Sequence, residues 1–208
     1  MIPADPVPIP TLETEVTERL ADGSANAGRL IHVRSVVTTV RLLAGAGGWP
    51  ERTARAATRA AWLHDALKLD GVEAWRERIL AAGEEPDPWA EAHDPSLLHA
   101  QAAAVWAAAR GEPDPGVLSA VRHHPTGHPA WEVVGRLLYV ADFAEPTRAH
   151  AERFGSASIL AAAGQDQAGL ARAARRVLAL RIELLLEKGR PIHPDSWLSW
   201  NAWAGIEP

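Results

Sequence analysis

The chain has 208 residues, no cysteine, 21 basic and 26 acidic residues, and a formal charge of −5. That length suits one compact domain with its own core. The missing cysteine excludes disulfides, thiolate metal sites, iron–sulfur clusters and thiol nucleophiles. The acidic balance argues against a nucleic-acid or anionic-membrane binder, since both need a basic face.

The first ten residues hold four prolines and are expected to form a flexible arm ahead of a domain over 11–208. Residues 11–21 read as a short helix with Leu12, Val16 and Leu20 on one face, broken at Asp22-Gly23-Ser24. From 27 to about 46 the helical period is clear, with Val33, Val36, Val37, Val40, Leu43 and Ala44 on the apolar face. Gly45, Gly47 and Gly48 stop it. Pro50 opens a helix expected to reach Leu67, followed by a shorter one over 73–81. Residues 83–93, with Pro86 and Pro88, read as a loop. Helices are expected over 96–110, over 115–123, and from Pro129 or Trp131 to Pro146. After a connector, 167–188 is the last long helix, closed by Gly189 and Pro191.

No alternating run is long enough for a strand, so the expected fold is all-α. The ligand-bearing core would run over about 27–148, with the C-terminal helix and tail over about 156–208. The longest fully apolar stretch, 102–109, is far short of the about 20 residues needed to span a bilayer, and the N-terminus shows no apolar leader. A cytoplasmic protein without membrane or nucleic-acid partners is the expectation.

With no thiolates, any metal must be held by imidazoles and carboxylates, and nine histidines are present. His32, the pair His64-Asp65, His99, His124 and Asp142 each fall on a different expected helix or near its end. Helical bundles build metal sites in this way, from side chains of several helices that project into one core cavity. His32 shares the stripe of Val36, Val40 and Leu43, and a polar group there needs a partner. Asp142 lies in the apolar run Leu137-Leu138-Tyr139-Val140-Ala141-Asp142-Phe143, where an unpaired carboxylate is very costly.

The order His … His-Asp … Asp on an all-α chain resembles the HD superfamily of metal-dependent phosphohydrolases. Six blocks extend the likeness: Arg29-Leu30-Ile31-His32, Leu63-His64-Asp65-Ala66-Leu67-Lys68, Leu97-Leu98-His99, Val121-Arg122-His123-His124-Pro125-Thr126-Gly127, the stretch 138–148, and the tail 186–195. Together they resemble the bacterial YqeK family. That resemblance implies a single HD domain and a dinuclear site with two transition-metal ions of iron type. It also implies symmetrical hydrolysis of diadenosine tetraphosphate to two ADP by a metal-activated water. His32, His64, Asp65 and Asp142 would hold one ion, and Asp65 would bridge to a second held by His99 and His124. Manganese or cobalt would substitute, because nitrogen and oxygen donors discriminate weakly.

The chain departs from the family pattern in places. His123-His124-Pro125-Thr126-Gly127-His128 stands where the family usually has Tyr-His-Thr-Thr-Gly-Arg, Ala66 where it favours Tyr, and Ser199-Trp200-Asn201 where it favours Ala-Arg-Asn. The altered segment keeps open a different nucleotide substrate (a dNTP, a nucleoside monophosphate or a cyclic dinucleotide). A non-catalytic nucleotide sensor is the alternative from another class.

A polyphosphate substrate needs local positive charge. Lys68, one of two lysines, lies one helical turn after Asp65 and is expected to touch substrate and to act in catalysis. Arg148 and Arg122 are further phosphate candidates. Thr126 and Gly127 are expected to offer backbone N–H groups to an oxygen. His123 or His128 would protonate the leaving phosphate. His93, His150 and His193, and His128 if it has no such role, are expected to be solvated or structural, and the tryptophans to serve the core or an interface. Trp197, Trp200 and Trp203 cluster near the end, where a homodimer contact is expected.

Overall fold

The computed structural model describes residues 6–21 and 27–204. Among them all regular structure is helical: α1 (Ile9–Ala21), α2 (Ala27–Ala46), α3 (Glu51–Leu63), α4 (Val72–Ala81), α5 (Pro88–His93), a 3-10 turn (Pro95–Leu97), α6 (Leu98–Ala109), α7 (Pro115–His123), α8 (Val133–Ala144), α9 (Ser156–Ala163), α10 (Gln167–Glu187) and α11 (Pro194–Ala204). The expected break at Asp22-Gly23-Ser24 and the first five residues of the arm lie outside the described residues. Ile9 and Pro10, expected in the arm, already belong to α1.

Three helices were not expected from the sequence. Residues 83–93 are not all loop, because Asp87 caps α5 by accepting from the N–H of Ala90, with Pro88 at the first helical position. The same aspartate device starts α7, where Asp114 accepts from Gly116, and α10, where Asp166 accepts from Gly169. The connector carries α9, and the tail carries α11. The helix expected to reach Leu67 ends at Leu63. Beyond it the bonding tightens, as Ala66 donates to Leu63 and Lys68 to Asp65. That tight segment carries the His64-Asp65 pair.

The frame is built around α8, which is buried from Leu137 to Ala144. A helix apolar on nearly every side belongs inside a bundle. Helices α2, α3, α7, α9 and α10 all pack against it, and α6 packs on α7. Trp203 and Tyr139 are fully buried, and Trp131 stacks on Trp203 with centroids 6.2 Å apart. Trp203 is therefore a core residue and not part of the subunit contact expected from the sequence. Trp197 is exposed, and Trp200 is half-buried beneath the Arg175 guanidinium. No helix among the described residues is long and apolar enough to cross a membrane.

Candidate metal centre

The six residues singled out by spacing come together. His32 arrives from α2, His64 and Asp65 from the tight segment after α3, His99 from the first turn of α6, His124 from the end of α7 and Asp142 from α8. All six are buried. They form two groups, His32–His64–Asp142 and Asp65–His99–His124, and the ligand atoms of each group lie within 4.8 Å of one another. The adjacent pair is thus divided between the groups.

Asp65 joins them. Its Oδ1 lies 3.2 Å from His99 Nε2 and 3.7 Å from His124 Nε2. Its Oδ2 lies 3.6 Å from His64 Nε2 and 3.8 Å from His32 Nε2. Asp142 Oδ1 is 3.1 Å from His32 Nε2.

The second nitrogen of each ring fixes its protonation. His64 Nδ1 is 2.7 Å from the carbonyl of Ala61, His124 Nδ1 2.8 Å from that of Val121, and His99 Nδ1 is bonded to that of Ser96. A carbonyl only accepts, so Nδ1 of these three rings carries the proton and a neutral ring presents a lone pair at Nε2. His32 Nδ1 instead meets Glu145 Oε1 at 2.9 Å. The Nε2 atoms of His32 and His64 are 3.4 Å apart, and those of His99 and His124 are 3.2 Å apart. Lone pairs at such distances repel unless a cation or a proton lies between them. This donor set, with every outer nitrogen anchored, fits metal binding.

Burial holds the His64 pKa down at about 4 and lowers those of His99 and His124. Burial also works against charge on His32, but Asp142 and Glu145 outweigh it and raise its pKa. Burial alone would raise the Asp65 and Asp142 pKa values. The histidines around Asp65 outweigh that, as do Arg148, His32 and Arg181 around Asp142, so both carboxyls titrate well below the usual range.

Three arginines ring the centre. Arg29 donates to Asp65 at 2.5 Å. Arg148 donates to the Asp142 carboxylate and, at 2.9 Å, to its backbone carbonyl. Arg181 reaches Asp142 Oδ2 at 2.6 Å from α10. Sequence reasoning gave no role to Arg29, Glu145 or Arg181. Arg29 and Glu145 carried a signal, since each lies one helical turn from a ligand, His32 and Asp142. Arg181 carried none, because only tertiary packing brings α10 to α8.

Of the expected substrate residues, Lys68 and Arg148 lie at the centre. Lys68 Nζ is 3.1 Å from His99 Nδ1, and burial lowers its pKa, opposed by Asp65. Arg122 is instead paired with Glu84 at 2.8 Å. The backbone N–H groups of Thr126 and Gly127 both donate to the His123 carbonyl, at 3.0 and 2.8 Å. They are not free for a phosphate oxygen, because the chain turns back on itself after α7. His123 faces Asp195, 3.2 Å from Nδ1, and joins neither metal group. His193, expected to be solvated or structural, is buried between Asp87 and Trp89.

No protein-family model matches the chain. A curated protein of Bacillus subtilis (strain 168), named symmetrical bis(5'-nucleosyl)-tetraphosphatase, is 30% identical over 174 residues, which is 83% of this chain and 88% of that protein. A protein of the same name from Halalkalibacterium halodurans is 33% identical over 106 residues, covering 50% of this chain and 54% of the relative. A crystal structure described as a predicted HD superfamily hydrolase involved in NAD metabolism, from Clostridium acetobutylicum, matches with a TM-score of 0.81. It covers 98% of this chain and 100% of its own at 24% identity, which establishes the shared fold.

Proposed function

The chain belongs to the family of symmetrical bis(5'-nucleosyl)-tetraphosphatases within the HD superfamily, and from that premise we propose that it hydrolyses diadenosine tetraphosphate to two ADP at a pair of transition-metal ions. In this reading His32, His64 and Asp142 would hold one ion and His99 and His124 the other, with Asp65 available to both. Iron is the proposed metal, with manganese or cobalt able to substitute. The reaction adds one water across the central phosphoanhydride, so one half leaves as ADP and the other takes up the water oxygen.

Two bound ions would polarise phosphoryl oxygens and make a water more acidic. The protein's own groups prepare the rest. Glu145 and the carbonyls of Ala61, Ser96 and Val121 keep the four imidazoles oriented. Arg148 and Lys68 offer positive charge to the phosphates in a chain whose overall charge opposes them. The Nδ1 of His123 is engaged by Asp195, so it would carry a proton to the leaving group through Nε2. The proposal treats 11–208 as one HD domain, acting in the cytoplasm on a small-molecule nucleotide, with the exposed Trp197 face as its homodimer contact.

The observation that carries this reading is the pair of buried His/Asp groups, with Asp65 of one group also facing His64 and His32 of the other. It is tested on protein purified without chelators, by metal analysis together with chromatography of the products. The expected result is ADP as the sole nucleotide product, with one oxygen from labelled water in every second ADP. ATP and AMP as products, or no turnover in metal-loaded protein, would overturn it.

A further inference from the structure

Helix α1 supplies none of the six candidate ligands, yet one of its side chains grips the segment that carries His64, Asp65 and Lys68. Leu12, Val16 and Leu20 are buried, and α1 packs against α3 and α2. Glu15 accepts from Arg110 at 3.0 Å, which ties the helix to the end of α6. Arg19, beside the buried Leu20, then reaches the tight segment after α3. Its Nε donates to the carbonyl of Ala66 at 3.1 Å, and a terminal nitrogen donates to the Asp70 carboxylate. These two partners flank Lys68 in the chain. The segment has left the α-helical ladder, as Lys68 donates to Asp65 and Asp70 to Leu67. Backbone carbonyls in a buried turn need donors. Arg19 supplies one to Ala66, and Trp75 Nε1 supplies one to Leu67 at 2.6 Å.

We infer that Arg19 is a positioning residue: it braces the turn around Lys68 so that the ammonium group stays beside His99, where the substrate's phosphates would meet it. The inference deepens the hydrolase reading and rests on it for the phosphates. A partly exposed ion pair by itself adds little stability, so the consequence of this contact lies in where it holds the turn. The guanidinium suits that task, because its planar fork of donors fixes two acceptors at once. Among the described residues Arg19 is bonded to no candidate ligand, so its influence on turnover passes through the turn.

The test has two arms on the full chain as purified. The first is trace acetylation with acetic anhydride, read by mass spectrometry at Lys68 and at the exposed Lys188, in wild type, Arg19→Met and Asp70→Asn. Lys68 is expected to react about threefold faster in both variants while Lys188 keeps its rate, since only the turn is loosened. Methionine keeps much of the arginine stem; if that variant does not fold, Asp70→Asn decides in its place. The second arm is a double-mutant cycle in metal-loaded enzyme. Arg19→Met is expected to lower kcat/KM for diadenosine tetraphosphate about tenfold, mostly through KM, at unchanged metal content. In a Lys68→Ala background the same change should cost no more than about twofold. Equal losses in both backgrounds would overturn the inference, as would Lys68 labelling that does not change. A wild type that leaves diadenosine tetraphosphate intact, with Lys68 labelling still raised in the variants, would support the brace and overturn the hydrolase reading instead.

Discussion

Glu145 Oε1 lies 2.9 Å from His32 Nδ1, so a residue outside both metal groups controls how one ring is turned. The same carboxylate accepts from the backbone and hydroxyl of Thr147, and its pKa is held at about 2 despite burial, by bonds from His32, Ser35 and Thr147. Charged partners on the outer nitrogen raise ligand basicity. Glu145→Gln keeps the shape and removes the charge, and metal affinity is expected to fall about tenfold. Competition against a coloured chelator measures it, and an unchanged affinity would separate Glu145 from the centre.

The division of the six candidate ligands into two groups predicts separable losses. His99→Ala should reduce the bound metal from about two ions per chain toward one, because three residues still surround the other position. Asp65→Ala touches both groups and should lose more metal than either single histidine variant. Elemental analysis of the purified variants distinguishes these outcomes, and equal loss in all of them would mean that the groups act as one.

Acid should unfold the metal-free protein early. His64 has a folded pKa of about 4 against 6.5 for an exposed imidazole, so the unfolded chain binds its proton more readily. Stability contributed by neutral His64 is complete above about 6.5 and is lost as pH falls toward 4, by on the order of 3 kcal/mol. His99 and His124 shift the same way, and His32 the opposite way. A falling Tm between pH 6.5 and 4, measured in chelator, is expected. Bound metal should move the loss to lower pH, since protons must then compete with it.

Outside the two groups, Arg59 on α3 grips Glu112 with two bonds, at 2.7 and 3.1 Å, and both residues are buried. Arg59→Met strands a buried carboxylate and should cost about 3–5 kcal/mol in urea unfolding, whereas Arg59→Met combined with Glu112→Leu should cost much less. Equal losses would show that packing, not the pair, matters at this site.

The sequence by itself determined the helical class, the six candidate ligands and the reason they must meet. Histidines on apolar stripes and Asp142 inside an apolar run cannot be buried alone, and in a chain without cysteine they were the donors on offer. Helices with a strong period, such as α2 and α10, were also legible, because that signal is local. Helices α5, α9 and α11 were not, since they are short, and prolines beside Asp87 read as a loop until the cap was seen. The resemblance already implied that Asp65 bridges the two groups; tertiary structure added how it does so, with Oδ1 toward His99 and His124 and Oδ2 toward His64 and His32. It also decided that Arg181, 39 residues from Asp142, reaches it, and that His123 carbonyl takes the two N–H groups expected to serve a phosphate. Those contacts depend on how helices pack against one another, and one chain's residue pattern records which face of a helix is buried but not what covers it.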